Sequence, residues 1–222
     1  MLPMATLLSL NIGRAVPTGH SDVGVTGIDK RPVDHEVEVT APAERGTGGS
    51  AIAGDAVCDK RHHGGPDQAL YAYAREDLDT WSSELGRHLA SGTFGENLTT
   101  AGLDLTGALI GERWRVGGTV LLEVSTPRIP CRTFAGWLGE RGWVRRFTER
   151  AVPGAYLRVI EPGRIRAGDR ITVVDRPDHD VTISVAFRAL TIEAALLPRL
   201  LAADALPAAD RDQIRRRLAS RV

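Results

Sequence analysis

Val120-Leu-Leu-Glu-Val-Ser-Thr-Pro127-Arg-Ile-Pro130-Cys131-Arg-Thr-Phe134 joins a strand, a stiff loop and a single cysteine. Val120 to Val124 is β-branched and aliphatic, the composition of a buried strand. Pro127 and Pro130 cannot donate to a sheet ladder, so the strand must stop there and a loop of limited freedom must begin. That loop presents Cys131. Upstream, Trp114-Arg-Val116 and Thr119 to Val124 flank Gly117-Gly118, a two-residue hairpin signal. Downstream, Phe134, Trp137 and Leu138 predict a helix directly after the loop, which puts Cys131 near a helix N-terminus.

The pattern continues outward in both directions. Thr6 to Asn11, Val23 to Ile28, Ala155 to Ile160 and Ile171 to Val174 read as further short strands set among Gly, Pro and Asp turns. Ala41 to Gly54, with Pro42, Gly46, Gly48 and Gly49, reads as an exposed loop. From Arg75 to Ala90 the apolar positions Leu78, Trp81, Leu85 and Leu89 step by helical spacing, with Gly92 placed to end the helix. Many strands and few helices predict a mainly β fold with some α, a barrel or strongly bent sheet, over residues 1–176. From residue 177 to 222 the character changes to three short helices, Val181 to Leu190, Glu193 to Ala203 and Ala208 to Ala219, with bends or ends at Pro198 and Pro207. So short a segment cannot bury an independent core. It is expected to pack on the barrel or on a second subunit, as in a homodimer. Ile214 and Leu218 suggest that the Arg215-Arg-Arg217 run is the solvated face of a half-buried helix.

Lysine plus arginine and aspartate plus glutamate both total 28, giving zero formal net charge. That removes the electrostatic case for nucleic acid or an anionic membrane as main partner. No apolar run approaches the roughly 20 residues of a membrane span, and the N-terminal stretch lacks the marks of a secretory signal. Only Cys58 and Cys131 are present, which argues against a disulfide framework and for a reducing, cytoplasmic setting.

Three segments carry candidate chemistry. Arg128 and Arg132 flank the cysteine loop and would favour a thiolate, suited to be a nucleophile or a soft-metal ligand. Asp59-Lys-Arg-His-His-Gly-Gly-Pro-Asp67 offers Gly64-Gly65, whose backbone amides can turn toward an anion, beside Lys60, Arg61 and His63. Zinc through His62 and His63 is unattractive, because adjacent residues point apart and no third ligand stands at zinc spacing. Phe94-Gly-Glu-Asn-Leu-Thr99 adds Asn97, able to hold a ring edge or a turn, and Glu96, able to pair with one of the arginines. Lys30 follows the second strand. No GxSxG, GxxxxGK[ST] or GxGxxG motif occurs.

Taken in order, Gly27-Ile-Asp-Lys30-Arg-Pro32, Gly54-Asp55, Lys60 with His63-Gly-Gly-Pro-Asp67, Ala69 to Tyr73, Phe94 to Thr99 and Ser125 to Cys131 resemble the MOSC domain family, found at the C-terminus of molybdenum-cofactor sulfurases, and within it the stand-alone bacterial YiiM-like group. The resemblance covers nearly the whole chain. It implies a β-barrel-like fold with a three-helix tail that binds the pterin-based molybdenum cofactor. Cys131 is then the catalytic residue and the protein ligand to molybdenum. Lys60, Arg61, His63 and the Gly64-Gly65 turn would bind the cofactor phosphate with help from Lys30, while Asn97 and Arg128 would contact the pterin. The implied reaction is two-electron reduction of N-hydroxylated compounds such as hydroxylamino-purines. With no flavin or iron–sulfur motif, a separate redox protein must supply the electrons. The sulfurases' pyridoxal-phosphate domain finds no room in 222 residues, so persulfide formation by that route is not expected. Two other classes remain open: a non-catalytic carrier of the cofactor or of persulfide sulfur on Cys131, and an interaction protein built on the helical tail.

Overall fold

The computed structural model describes residues 4–220. At its centre lies β9 (Val120–Pro127), all eight of whose residues are buried. It pairs antiparallel with β8 (Arg113–Val116) and with β10 (Ala155–Glu161). The strand runs to Pro127, opposite Ala155, and the proline there ends it. The expected two-residue hairpin is a three-residue one: Val116 faces Val120, so Thr119 joins the turn in which Gly117 takes φ +59°.

β12 (Ile171–Asp175), β6 (Leu70–Ala74), β7 (Leu98–Ala101), β1 (Thr6–Gly13) and β4 (Lys30–Val33) complete an eight-stranded sheet of order β12-β8-β9-β10-β6-β7-β1-β4. Only the β6–β7 pair is parallel. The sheet is open, but its ends approach: Thr6 bridges Arg170, and Leu7 N–H donates to Asp169 O at 2.8 Å. Because β1 and β12 stand six places apart in the order, that contact requires the sheet to curl strongly on itself. In place of the expected barrel stands an open, strongly curved sheet in which β1 and the start of β12 meet at a short bridge. Two small ladders flank it, β2 (Val16–Pro17) with β3 (Val25–Thr26) and β5 (Val37–Val39) with β11 (Gly163–Ile165). Of the predicted strand Val23 to Ile28, only β3 is extended.

The first helix, α1 (Arg75–Leu85), ends earlier than the apolar spacing predicts. Gly86 takes the left-handed C-cap, and Leu89 reaches the same buried face from a loop, its N–H donating to Ser82 Oγ at 3.1 Å. The helix predicted after the cysteine is α2 (Arg132–Leu138), with Cys131 at its N-cap. A further helix, α3 (Trp143–Arg150), is not foreseen from the sequence. In the tail, α4 (Ile183–Thr191) and α5 (Ala208–Ala219) are α-helices, while Ala194–Ala202, with Pro198 inside, is a 3-10 helix. Ile183, Ala186, Leu197, Leu200 and Ile214 are buried in the same apolar core as the inner face of the sheet. No helix among the described residues is long and apolar enough to cross a membrane.

A second, aromatic core lies beneath α2. Phe94 stands with its ring centroid 5.1 Å from Phe134, 4.9 Å from Tyr73 and 5.5 Å from Trp143, and Phe147 closes the group. Cys131 and Tyr156 pack against this cluster. Phe94→Ala is expected to destabilise the protein by about 3–5 kcal/mol, the cost of a large core truncation. Urea unfolding checks this; a loss below about 1 kcal/mol would show that the cluster does not support the fold.

Candidate functional site

The Cys131 loop, the turn before β6 and the β2–β3 hairpin enclose a cavity of about 510 Å3. It brings together Lys30, His63, Gly64, Asn97, Arg128 and Cys131, a volume suited to a small organic ligand. Cys131 is half-buried at the N-cap of α2, and its side chain makes no capping bond.

Both flanking arginines line the cavity, but only Arg128 is buried. It is 7% exposed, and its guanidinium carbon lies 3.6 Å from the Phe134 ring centroid and 5.2 Å from that of Tyr71. Its Nη1 is buried without a hydrogen-bond partner. A buried cation normally pairs with an anion, so an orphaned guanidinium nitrogen on a cavity wall marks a place for one. Burial holds the Tyr71 and Tyr156 phenols above their usual range, opposed by the charge of Arg128. Arg132 is 66% exposed at the cavity rim, its Nη2 2.6 Å from Asp22 Oδ1.

Lys30 and Asn97 meet at Asp55. Lys30 Nζ lies 2.5 Å from Asp55 Oδ1, which also accepts from Gly13 N–H at 2.6 Å; Asn97 Nδ2 donates to Asp55 Oδ2 at 2.9 Å. Asn97 Oδ1 in turn accepts from Tyr71 N–H at 3.3 Å. The Asn97 amide is therefore committed to the wall, whereas Lys30 keeps donors to spare beyond its one carboxylate partner. Glu96 does not make the arginine pair that the sequence allows. It is fully buried and accepts from Gly92 N–H at 2.6 Å, Phe94 N–H at 3.0 Å and Thr99 Oγ1 at 3.0 Å, fixing the turn instead. Burial raises its pKa.

Around the glycine pair the residues part company. Gly64 and Gly65 both hold left-handed φ, +78° and +81°. A Cβ on Gly65 would meet the Arg45 backbone at 2.9 Å, so only glycine fits there. Gly64 lines both the main cavity and a second one of about 230 Å3 beside Glu44 and Arg45, whereas Gly65 lines only the second. Lys60 is exposed and donates to Thr47 O at 3.2 Å; Arg61, also exposed, is taken up by Asp59 at 3.1 Å. Neither lines the cavity.

His63 lines the cavity and is also open to solvent, while burial of its ring and then the charge of Arg128 push its pKa down to about 4. Solvent on the open side tempers the size of that shift, not its direction. A histidine whose folded pKa lies below its unfolded value of about 6.5 binds fewer protons folded than unfolded between the two. Its contribution is full above pH 6.5 and is lost as pH falls toward about 4. His63→Asn is expected to flatten that part of the acid destabilisation. Urea midpoints at pH 7 and pH 4.5 for both proteins check it, and parallel declines would refute it.

Cys58 also lines the cavity, its thiol pKa raised by burial. Tyr156, Asp55 and His20 belong to the walls as well. Spacing could not flag Tyr156, one aromatic in an ordinary strand pattern, but Asp55 stands in the Gly54-Asp55 pair that the sequence resemblance rests on.

A model of the MOSC domain matches residues 59–172. YflK of Bacillus subtilis, described as an uncharacterized protein, is 33% identical over 184 residues, covering 82% of this chain and 79% of that protein. A protein of Gibberella moniliformis named "Reductase" is 31% identical over 118 residues, 52% of this chain but 21% of that longer protein. The crystal structure of YiiM from Geobacillus stearothermophilus matches with a TM-score of 0.77 at 28% identity, over 96% of this chain and 99% of that one. The family model spans half of this chain and YflK aligns over most of it, so the chain belongs to the MOSC domain family, a family associated with the molybdenum cofactor.

Proposed function

We propose that the protein binds the pterin-based molybdenum cofactor in the Cys131 cavity and, in the cytoplasm, reduces N-hydroxylated compounds such as hydroxylamino-purines. The observation that carries this reading is the buried, unpartnered Nη1 of Arg128 on the same cavity wall as Cys131. The donor set fits as well. Among the described residues no cluster of three or more His, Cys, Asp or Glu could hold a bare ion. A metal here must arrive with most of its own donors, leaving one soft protein sulfur to add. The name "Reductase" of the Gibberella relative points the same way.

In this reading Cys131 is the catalytic residue and holds the metal. Arg128 and Lys30 hold the anionic end of the cofactor, with the Gly64 turn and a neutral His63 beside them. Lys60, Arg61 and Gly65 stand outside the cavity and are left with steering and shaping roles. Asn97, fixed by Asp55, orders the wall against the pterin. When bound, the group supplies two-electron chemistry that removes oxygen from an N–O bond. A separate redox protein restores the electrons. The test is reduction of a hydroxylamino base by cofactor-loaded protein with an added chemical reductant. Turnover that disappears in Cys131→Ser supports the reading, and full retention ends it. Sulfane sulfur on freshly purified protein, without turnover, would assign a carrier instead.

A further inference from the structure

The β2–β3 hairpin is tied to the rest of the molecule differently from every other part of the cavity wall. Its ladder has two pairs, Val16↔Thr26 and Pro17↔Val25. Its tip closes on itself, Thr18 N–H donating to Gly24 O at 2.9 Å and Gly24 N–H to Ser21 O at 3.0 Å. Among the described residues, the tip's hydrogen bonds beyond the hairpin run to the start of α2, and Asp22 also lies within electrostatic reach of Arg61. Arg132 Nη2 lies 2.6 Å from Asp22 Oδ1, Arg132 Nε donates to His20 O at 3.3 Å, and Thr133 Oγ1 donates to the same oxygen at 2.8 Å. The His20 ring then rests on Gly136, where an added Cβ would overlap the imidazole.

Of the two partners, α2 is the fixed one. Phe134 is locked into the aromatic cluster, Trp137 Nε1 donates to Thr93 O at 3.0 Å, and Arg87 Nη2 donates to Leu138 O at 2.6 Å. The hairpin is anchored at its base, where Thr26 is buried beside Ile28, but at its tip Asp22 and Arg132 are 71% and 66% exposed, so their pairing is a weak surface contact. Yet His20, Asp22 and Val25 line the cavity that holds Cys131.

We infer that this hairpin is a hinged cover latched by Asp22–Arg132 and the His20–Gly136 seat, and that His20 and Asp22 set how wide a molecule reaches Cys131. Compact molecules pass the latched cover. Wide planar ones need it lifted, which segments of low local stability permit. The latch sits on the helix that Cys131 caps, so the cover is registered directly on the reactive residue. The inference does not rest on which cofactor the cavity holds.

In a Cys58→Ser background Cys131 is the sole thiol. Rates of modification by N-methylmaleimide and by N-(1-pyrenyl)maleimide are compared. Both reagents are uncharged and react at the same carbons, so the wide-to-narrow ratio cancels changes in thiol reactivity and local charge. Asp22→Ala should raise that ratio about threefold to fivefold, the upper range for loss of an exposed ion pair. Arg132→Ala should match it, and Gly136→Ala, which pushes His20 off its seat, should raise it at least as much. Asp22 is exposed and outside both cores, so its variant is decisive by itself. A ratio unchanged or lowered in Asp22→Ala overturns the inference.

Discussion

Cys131→Ser is expected to lose its molybdenum while keeping its fold. Expressed in a host that makes the cofactor, the wild type should carry close to one metal per chain. The variant should bind it at least about 10- to 100-fold more weakly, since even outer-shell changes around metals cost that much. A serine hydroxyl is a harder donor than a thiolate and stays protonated where a thiol ionises, so it replaces the thiolate poorly at a soft site. Stability should move the other way or not at all. Cys131 occupies the N-cap of α2 without bonding a backbone N–H, and serine is a preferred N-cap residue. Metal analysis beside urea unfolding separates the two effects. Metal lost together with the fold would make Cys131 a packing residue. Metal retained in full would remove it from the coordination sphere.

Arg128→Met should show the same kind of split. Hydrogen bonds to charged groups contribute about 1.5–3 kcal/mol each, so affinity for a phosphate-bearing ligand should fall roughly tenfold to a hundredfold. The protein without ligand should be no less stable. The guanidinium is buried, has an unpartnered nitrogen and lacks a carboxylate partner. Exchanging an ill-compensated buried charge for an apolar side chain of similar length is commonly neutral or stabilising by about 1–4 kcal/mol. Against this stands the contact with the Phe134 face, worth about 0.5–2 kcal/mol. Calorimetric titration with inorganic phosphate, set beside unfolding curves, decides. Unchanged binding with a clear loss of stability would make Arg128 a strut for Phe134 and remove the main support for an anion in the cavity.

Much of this arrangement was legible in residues close together in the chain. The β-branched run, its two prolines and the helix after Cys131 are local signals, and the structure places them where those signals do. The limits of such local signals are also physical. The end of α1 turned on whether Gly86 or Gly92 took the left-handed cap, and apolar spacing cannot choose because Leu89 is buried either way. α3 has eight residues and only two buried positions, Trp143 and Phe147, which gain meaning from the distant Phe94 and Phe134 that they touch. At the site, the charged residues beside the glycine pair looked alike in sequence. All three are exposed, and place in the fold divides them: His63 lines the cavity, while Lys60 and Arg61 are spent on Thr47 and Asp59. Likewise nothing local shows that Asn97 is held by Asp55, 42 positions earlier.

The bridge between Thr6 and Arg170 has a consequence for how the chain is made. On the ribosome β1 is made long before the segment at Arg170 that completes its edge. The inner face of the sheet is covered later still, by Ile183, Leu197, Leu200 and Ile214. A nascent chain therefore carries an open strand edge and a bare apolar face while the strands between are made, and both close only once those later segments are available.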